Sequence, residues 1–333
     1  MAKSDLRTRI SQFSTIPERQ SDFTSTSFPA LALPDIFLIL NEVLLNAQTG
    51  EEIGLQLSTL ARFVKIEHTL FSLPLIYTGA LLAARGWISL RLALLMLVAA
   101  TGARTVALAL NRIIDREIDK RNPRTAIREL PAGRMKLPEA IAVLLAGLVL
   151  YFGSAELIGS FCLIWSPLPL AIFVFYPYMK RFTPLAHFGV GLGLAMAPLA
   201  GWVAVTQSLS NIIPGFVLGF FSMLWVAGFD IIYATLDEEF DRRENLYSMP
   251  SRLGKEKALR VSGYLHALAF VVLVYIFAVY IQSWLAAPLL ALAGFLLYLE
   301  HAKASDVELA FFKINIVLGF VILAMVIVGV HFA

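Results

Sequence analysis

Two short series of polar residues in this sequence have the side chains and the spacing to bind a cation. The first series is Asn111, Asp115 and Asp119, and the second is Asp230, Asp237 and Asp241. Members of the first series are four residues apart, so on a helix they lie along one face with a drift of about 40° per step. On a continuous helix, the second series returns to within about 20° of one line. Each series therefore predicts a short ladder of oxygen ligands at a helix end.

Carboxylates placed this close repel one another unless a cation lies between them. Mg²⁺ is the natural candidate, because it prefers hard oxygen ligands, uses one or two carboxylates and completes its octahedron with water and substrate phosphate. The sequence has no cluster of His or Cys residues that would suit a softer metal better. We therefore predict a Mg²⁺ site that also binds a phosphorylated substrate.

Charged loops are common in membrane proteins, and the basic residues around both series are equally well explained as topology signals. The acidic residues are harder to explain in this way, because Asp and Glu contribute little to orientation. Asp230 lies about 10 Å back into its apolar segment from Asp237, where an unpaired charge is costly. The acidic residues therefore favour a binding or catalytic site.

Basic residues near the same level would complete a phosphate site. Four of them belong to predicted loops and have the chemistry to bind phosphate oxygens: Arg128, Arg134, Lys180 and Arg181. Arg104 differs, because it lies inside an apolar segment, two turns before Asn111. A lone Arg in hydrocarbon is costly, so we expect it to face the bundle interior and to pair with the acidic series or with a substrate anion. A buried ion pair without a catalytic role would explain Arg104 equally well.

The elements that must position these residues are membrane helices. Hydrophobic residues make up 58% of the 333 and charged residues 15%, which excludes an ordinary soluble domain. The single cysteine excludes an intramolecular disulfide. A helix needs about 20 mostly apolar residues to cross the hydrocarbon. We predict an all-α, polytopic membrane protein with nine spans, which are residues 67–85, 90–112, 138–157, 159–178, 185–206, 212–235, 259–281, 284–300 and 311–332.

Basic residues also fix the predicted orientation. They are concentrated in alternate connections, whereas the other connections contain only Arg85 and Arg91. By the positive-inside rule, the N-terminus and both acidic loops face the cytoplasm and the C-terminus lies across the membrane. Asp237 follows Asp115 by 122 residues, or four spans, which suggests two pseudo-repeated halves that meet at one site.

The first 57 residues differ in kind from the rest of the chain. They are polar and carry no core pattern, apart from residues 34–48, which have the composition of one short amphipathic helix on the membrane surface. We expect a mobile N-terminal extension over residues 1–57 and a transmembrane domain over residues 58–333. A cleaved signal peptide is not expected, because the apolar stretch begins beyond residue 30.

Four segments of the sequence resemble signatures of the UbiA superfamily of intramembrane prenyltransferases. NRIIDREID, residues 111–119, is similar to the first Asp-rich signature, and RTAIRELPAGR, residues 124–134, to the segment that follows it. YPYMKRFT, residues 176–183, resembles the stretch after the fourth helix. DIIYATLDEEFD, residues 230–241, followed by SMPSRLG, resembles the second signature. The resemblance covers about residues 60–332, with the segments in the order of the family.

This resemblance implies nine transmembrane helices around a central cavity, with both Asp-rich loops covering it from the cytoplasm. It also implies Mg²⁺-dependent transfer of a polyprenyl group from polyprenyl diphosphate to an aromatic acid acceptor. The implied Mg²⁺ ligands are Asn111, Asp115, Asp237 and Asp241. The implied catalytic residues are Asp115, Asp119, Asp237, Asp241 and Arg181. Substrate contacts are expected from Asn111, Arg104, Arg128, Lys180, Tyr178, Tyr233, Asp230 and Lys65.

The segment KIEHTLFSLP, residues 65–74, is similar to the 4-hydroxybenzoate polyprenyltransferase-like branch of the family. The expected acceptor is therefore 4-hydroxybenzoate, in the biosynthesis of ubiquinone. Prenylation of a dihydroxynaphthoate in menaquinone biosynthesis uses the same chemistry and is the alternative. A secondary transporter is the alternative of another class, although its ionisable groups would lie near the membrane midplane. We expect a lipid bilayer, and no nucleic acid, as partner, in a bacterial inner membrane.

Overall fold

The computed structural model describes residues 59, 62–63, 69–307 and 313–332, and the regular elements along this part of the chain are helices. The α-helices, in chain order, are α1 Thr69–Ala84, α2 Leu90–Arg121, α3 Leu137–Ile158, α4 Ser160–Trp165, α5 Pro167–Met179, α6 Ala186–Thr206, α7 Ile213–Ala234, α8 Glu238–Arg243, α9 Met249–Leu253, α10 Lys255–Ile276, α11 Ala287–Ala302 and α12 Asn315–His331. The predicted all-α fold is confirmed, with no strand in the described ranges. The predictions for residues 1–57, and for Lys65, lie outside the described residues.

Seven helical segments in the described ranges are long and apolar enough to cross a membrane. The shorter apolar helices α1 and α12, of 16 and 17 residues, lie within the predicted spans 67–85 and 311–332. The count of nine spans therefore stays a prediction. The predicted boundary between the third and fourth spans is confirmed, because Gly159 separates α3 from α4. A chain with this many apolar helices is an integral, multi-pass membrane protein.

Helix α7 lies at the centre of the bundle. Its sequence, IPGFVLGFFSMLWVAGFDIIYA, is strongly apolar, and nearly every residue from Phe221 to Ile232 is buried, whereas Phe216 and Phe220 nearer its start are exposed. Leu218, Phe221 and Trp225 are each at most 1% exposed. Helices α6 and α10 pack along α7, and side chains from α1, α11 and α12 belong to the same core. The helix that carries Asp230 is therefore surrounded by neighbours that fix its position.

Glycines allow two of these neighbours, α1 and α6, to approach closely. A Cβ atom at Gly79 of α1 would overlap the Pro198 carbonyl group, and one at Gly201 of α6 would overlap the Ile76 carbonyl group. In lipid no hydrophobic effect draws helices together, so small residues at such contacts hold them by close packing. Gly153 of α3 differs, because nothing lies within 4 Å of the position of its added Cβ.

We expect Gly201→Ala to destabilise the protein and Gly153→Ala to leave it unchanged or slightly more stable. The first substitution forces a methyl group against the Ile76 carbonyl, and overpacking of this kind costs about 1–3 kcal/mol. The second only raises helix propensity, by up to about 1 kcal/mol. The thermal unfolding midpoints of both variants in detergent, beside the wild type, measure the difference. Equal midpoints for the two variants would contradict the close contact between α1 and α6.

Candidate active site

Both polar series line one cavity at a single end of the helix bundle. The cavity has a volume of about 200 Å³ and lies between α2, α5, α6, α7 and the loops that follow α2 and α8. Nine residues predicted to bind metal or substrates line it, namely Asn111, Asp115, Asp119, Arg128, Lys180, Asp230, Tyr233, Asp237 and Asp241. Two stretches that are far apart in the sequence are therefore brought to one place.

The first series lies on α2, a helix of 32 residues that continues beyond its apolar segment. Asp115 is 1% exposed, and its Oδ2 atom lies 2.7 Å from Lys180 Nζ. The same oxygen accepts a hydrogen bond from Asn111 Nδ2 at 3.2 Å. One turn further, Asp119 pairs with Arg128, with 2.7 Å between Oδ2 and Nη1. These partners supply the positive charge that two buried carboxylates on one helix face require.

The second series does not lie on a continuous helix, which corrects the expectation drawn from its spacing. The 3₁₀ turn Thr235–Asp237 separates α7 from α8. The Thr235 hydroxyl donates to the Ile232 carbonyl oxygen at 2.7 Å, and such a side-chain bond competes with the regular helical pattern. A 3₁₀ turn has fewer residues per turn than an α-helix, so the angle between Asp230 and Asp237 differs from the one that the spacing predicts, although both residues line the cavity.

Arg124 is the main partner of Asp237. Its Nε atom donates to Asp237 Oδ1 at 2.8 Å, its Nη2 atom contacts Oδ2, and Asn122 Nδ2 donates to Oδ1 at 2.8 Å. The remaining nitrogen, Nη1, donates to the Tyr233 hydroxyl at 2.6 Å. Burial acts to lower the pKa of Arg124, but the bonds to Asp237 and Tyr233 outweigh it and raise that pKa above its ordinary value. Arg124 is therefore a fixed cation at the cavity wall.

Asp230 has a neutral partner, His187 of α6. His187 Nδ1 lies 2.7 Å from Asp230 Oδ2, and His187 Nε2 lies 3.2 Å from the backbone nitrogen of Met249. A backbone N–H only donates, so Nε2 accepts and the ring proton is on Nδ1, which donates to Asp230. This bond orients the Asp230 carboxylate within the cavity.

The loop after α8 is attached to the elements that carry the first series. The Tyr247 N–H group donates to the Lys180 carbonyl oxygen at 2.6 Å. Ser248 caps α9, because its hydroxyl accepts from the Ser251 N–H group at 3.2 Å. Arg121, at the end of α2, pairs with Glu244, with 2.6 Å between Nη1 and Oε2. These contacts hold the ends of α2, α5 and α8 around one cavity.

Three of the residues for which the family resemblance implies a catalytic or substrate-binding role, within the described ranges, are absent from the wall of this cavity. Arg181 is one of them, although its Nη2 atom lies 3.6 Å from Asp115 Oδ1. Tyr178 is 39% exposed, with the Arg181 guanidinium carbon 4.8 Å from its ring centre. Arg104 lines a second, apolar cavity instead. The roles predicted for these three residues stay predictions.

The spacing argument does not identify two lining residues, Asn122 and Arg124. A signal for Asn122 exists, because it follows Asp119 by three residues and so continues the same face of α2. Arg124 carries no such signal, since it lies beyond the end of α2 in a loop whose path the spacing does not determine. Arg134, expected to bind phosphate, lies 3.6 Å from a carboxylate oxygen of Glu129.

Carboxylate and amide oxygens are prominent in the cavity, and these donors suit Mg²⁺. Across the described ranges, no group of three or more His, Cys, Asp or Glu side chains is arranged to hold a metal ion by itself. Mg²⁺ does not require such a group, because it uses one or two carboxylates and takes its other ligands from water and phosphate. Asp115 Oδ1 is buried and accepts no hydrogen bond among the described residues, and its nearest cationic partner, Arg181 Nη2, lies 3.6 Å away, so this oxygen has capacity for a ligand. The residues fit a Mg²⁺ ion that binds together with a phosphorylated substrate.

Comparison with known proteins finds one family and several relatives. The model of the UbiA prenyltransferase family matches residues 72–317. The chain is 29% identical to a polyprenyl transferase from Arthrobotrys oligospora, over 63% of this chain and 59% of the relative. It is 27% identical to a 4-hydroxybenzoate octaprenyltransferase from Paracidovorax citrulli, over 68% of this chain and 77% of the relative. The chain spans between 44% and 59% of the length of the fungal polyprenyl transferases that it matches.

A solved structure shares the arrangement of the helices. The apo structure of a UbiA homolog from Aeropyrum pernix K1 is 39% identical to this chain, with a TM-score of 0.74. The similarity covers 79% of this chain and 98% of that homolog. The arrangement of helices around the cavity is therefore similar to that of a known fold.

We expect Arg124→Met to destabilise the protein more than Arg116→Met. Without Arg124, the Asp237 carboxylate, which is 16% exposed, keeps only Asn122 as its partner, and the loss costs about 1–3 kcal/mol. Arg116 forms an exposed pair with Glu117, and such pairs contribute about 0–1 kcal/mol. Thermal unfolding of the purified variants measures the difference. If both variants unfold at the wild-type temperature, the ion pair at Asp237 does not stabilise the site.

Proposed function

The chain belongs to the UbiA prenyltransferase family, and from this premise we propose that it transfers a polyprenyl group from polyprenyl diphosphate to an aromatic hydroxy acid. The proposed acceptor is 4-hydroxybenzoate, and the proposed pathway is the biosynthesis of a respiratory quinone. The family rests on the match over residues 72–317. The substrates rest on the chemistry of the cavity and on similarity to a 4-hydroxybenzoate octaprenyltransferase.

One observation carries the proposal: carboxylates and cations share a cavity at one end of an apolar bundle. A diphosphate needs positive charge, which Mg²⁺ on carboxylates and basic side chains supply together. An isoprenoid chain needs apolar surroundings, which membrane helices and lipid supply. The cavity wall contains both Lys180 and Arg128 beside the acidic residues Asp115 and Asp119. A substrate with a charged head and an apolar tail fits this arrangement, in which a charged cavity adjoins apolar helices.

The proposed reaction exchanges one bond for another. The bond between isoprenoid C1 and the ester oxygen breaks, the electron pair leaves with the diphosphate, and C1 becomes an allylic cation. The ring carbon beside the acceptor hydroxyl then forms a bond to C1, and the ring loses the proton from that carbon. Mg²⁺, when bound, neutralises the diphosphate and makes it a better leaving group.

The residues of the chain bind and orient the two substrates in this proposal. Asn111, Asp115, Asp237 and Asp241 hold Mg²⁺, and Arg128, Arg124 and Lys180 bind the departing diphosphate. The ring of Tyr233 lines the cavity, and an aromatic face stabilises a nearby carbocation. Asp230, oriented by His187, is placed to accept the proton that the ring loses.

We also propose that the cavity and the N-terminus face the cytoplasm of a bacterium and that the C-terminus lies across the inner membrane. The concentration of basic residues in alternate connections supports this orientation. Both proposed substrates are charged and water-soluble at one end, so a cavity at the cytoplasmic face would give them access. The apolar helices would meanwhile give the isoprenoid tail access from the lipid.

The purified full-length chain in detergent, given Mg²⁺, geranyl diphosphate and 4-hydroxybenzoate, is expected to form prenylated acid. Asp115→Ala and Asp237→Ala are each expected to slow the reaction by about 100- to 1,000-fold, because each removes a group that stabilises the leaving diphosphate. Removal of Mg²⁺ with EDTA should abolish the product. Mass spectrometry of the reaction mixture measures all three effects. Glu117→Ala is the control, since Glu117 is exposed on the same helix.

The outcomes separate the reaction from its acceptor. If product forms from dihydroxynaphthoate but not from 4-hydroxybenzoate, the proposed type of reaction is supported and the pathway is menaquinone biosynthesis instead. Full activity of both aspartate variants would contradict the role of the cavity. No product with either acceptor, over several isoprenoid lengths, would overturn the proposed function.

A further inference from the structure

A second group of charged residues lies outside the polar cavity of the active site, where the chain before α1 meets α2 and the loop before α3. Arg62, Arg112 and Arg134 surround the carboxylate of Glu129, and we call these four residues the arginine cluster. Arg112 and Glu129 are buried, whereas the side chains of Arg62 and Arg134 are 55% and 47% exposed. The four residues are absent from the wall of the polar cavity. The arginine cluster therefore presents two cations at the outer surface of the bundle.

Arg112 already neutralises the carboxylate at the centre of the cluster. Its Nη1 atom lies 3.6 Å from Glu129 Oε2, and its guanidinium carbon lies 5.4 Å from the centre of the Phe63 ring. A buried carboxylate requires one positive charge, which the buried Arg112 supplies. Arg62 and Arg134 each lie 3.6 Å from the other oxygen, Glu129 Oε1. With three arginines against one glutamate, the cluster carries two excess positive charges.

The contacts within the cluster are ion pairs without hydrogen bonds. Each separation of 3.6 Å between nitrogen and carboxylate oxygen exceeds the length of a hydrogen bond, which is about 2.7–3.2 Å. Arg112 Nη1 is buried and has no hydrogen-bond partner among the described residues. The carboxylate thus attracts the guanidinium groups but does not form the paired bonds that Arg forms with carboxylate or phosphate oxygens. A second anion would complete the cluster.

The charged residues that adjoin the cluster in the sequence do not cancel its excess charge. Arg128, which precedes Glu129, pairs with Asp119 at the polar cavity. The carboxylate of Glu139 accepts a hydrogen bond from the Lys136 N–H group at 2.7 Å and so caps the start of α3. The anion that the cluster lacks is therefore not supplied by these neighbours.

The cluster lies beside a surface that faces lipid. Phe63 belongs to one apolar group with Met135 and Ala140, which places Arg62 beside the start of α3. From that point an exposed apolar face continues along α3, at intervals of four residues, through Ile141, Leu145 and Val149. An exposed apolar face on a membrane-spanning helix contacts lipid chains. A lipid whose chains lie along this face would have its head group at the level of the arginine cluster.

We propose that the arginine cluster binds the phosphate group of an anionic phospholipid. Arg62 and Arg134 are the direct ligands, and Arg112 is the buried charge that offsets Glu129. Guanidinium groups bind phosphate oxygens through paired hydrogen bonds, and basic residues next to a membrane span attract anionic lipids. A zwitterionic lipid fits less well, because its head group would bring a further cation to a cluster that already has an excess of them. The site does not depend on the reaction that the polar cavity catalyses.

The test compares phosphatidylglycerol, which is anionic, with phosphatidylcholine of the same acyl chains, on the purified full-length chain in detergent. Native mass spectrometry measures the affinity for each lipid, and thermal unfolding measures the midpoint with each. We expect the wild type to bind phosphatidylglycerol at least about 5-fold more tightly than phosphatidylcholine. The double variant Arg62→Gln, Arg134→Gln should bind phosphatidylglycerol about 10- to 30-fold more weakly, with its affinity for phosphatidylcholine unchanged.

Glu129→Gln separates a lipid site from a structural network of ion pairs. It removes the negative charge of the cluster and keeps the shape of the side chain, so it should bind phosphatidylglycerol about 5-fold more tightly than the wild type. Its thermal midpoint should fall in phosphatidylcholine and recover in phosphatidylglycerol, because the lipid phosphate replaces the lost carboxylate. Arg242→Gln is the matched control, since Arg242 is an exposed cation that pairs with Glu238 on α8. It should bind both lipids as the wild type does.

Three results would overturn the inference. If the double variant keeps the preference for phosphatidylglycerol, or if Glu129→Gln binds that lipid more weakly than the wild type, the cluster does not bind an anionic lipid. If the double variant lowers the midpoint equally in both lipids and leaves their affinities unchanged, the arginines only connect parts of the chain. If inorganic phosphate alone raises the wild-type midpoint as much as phosphatidylglycerol does, the occupant is a free phosphate and the lipid assignment falls. These measurements do not require prenyl transfer, so a failure of the proposed function would leave them unchanged.

Discussion

Charged groups inside an apolar bundle must be neutralised at close range, and this constraint determines how the ends of the helices are arranged. Three acidic residues are each paired with a basic residue that lies outside the helix or turn that carries the acid. The pairs are Asp115 with Lys180, Asp119 with Arg128, and Asp237 with Arg124. A carboxylate that lost its base would stay buried at a high cost in free energy. The loops after α2 and α5 are therefore held to one path by the acids that they neutralise.

The apolar part of the bundle supports this polar end. Helix α7 is buried along most of its length, and the glycine contacts between α1 and α6 bring the surrounding helices close to it. A rigid wall matters for the site, because groups that act on one bond must be held within fractions of an ångström of their working positions. Helix packing within the membrane and ion pairs at the polar end therefore both fix the positions of the residues that line the polar cavity.

The sequence predicts the regular parts of this arrangement better than the irregular ones. The series from Asn111 to Asp119 lies on α2 as its spacing requires, because nothing interrupts the helix there. The second series departs from its spacing at Thr235, whose side chain bonds to a backbone carbonyl, an effect that periodicity does not contain. The contact between Arg124 and Asp237 could not be predicted for a similar reason, because Arg124 lies in a loop whose path the spacing of residues does not determine. Composition alone was enough to predict a membrane protein, and the order of the motifs was enough to predict that the two series converge.

The two cavities of the bundle differ in the charges that line them. In the polar cavity each of the three basic side chains already faces a carboxylate, so Mg²⁺ and a diphosphate, whose charges largely cancel, would enter with little change in net charge. In the apolar cavity Arg104 is a positive charge without a carboxylate beside it. The two cavities therefore differ in charge: carboxylates and cations pair along the wall of the polar cavity, whereas Arg104 is the one charged residue among the described residues that line the apolar cavity.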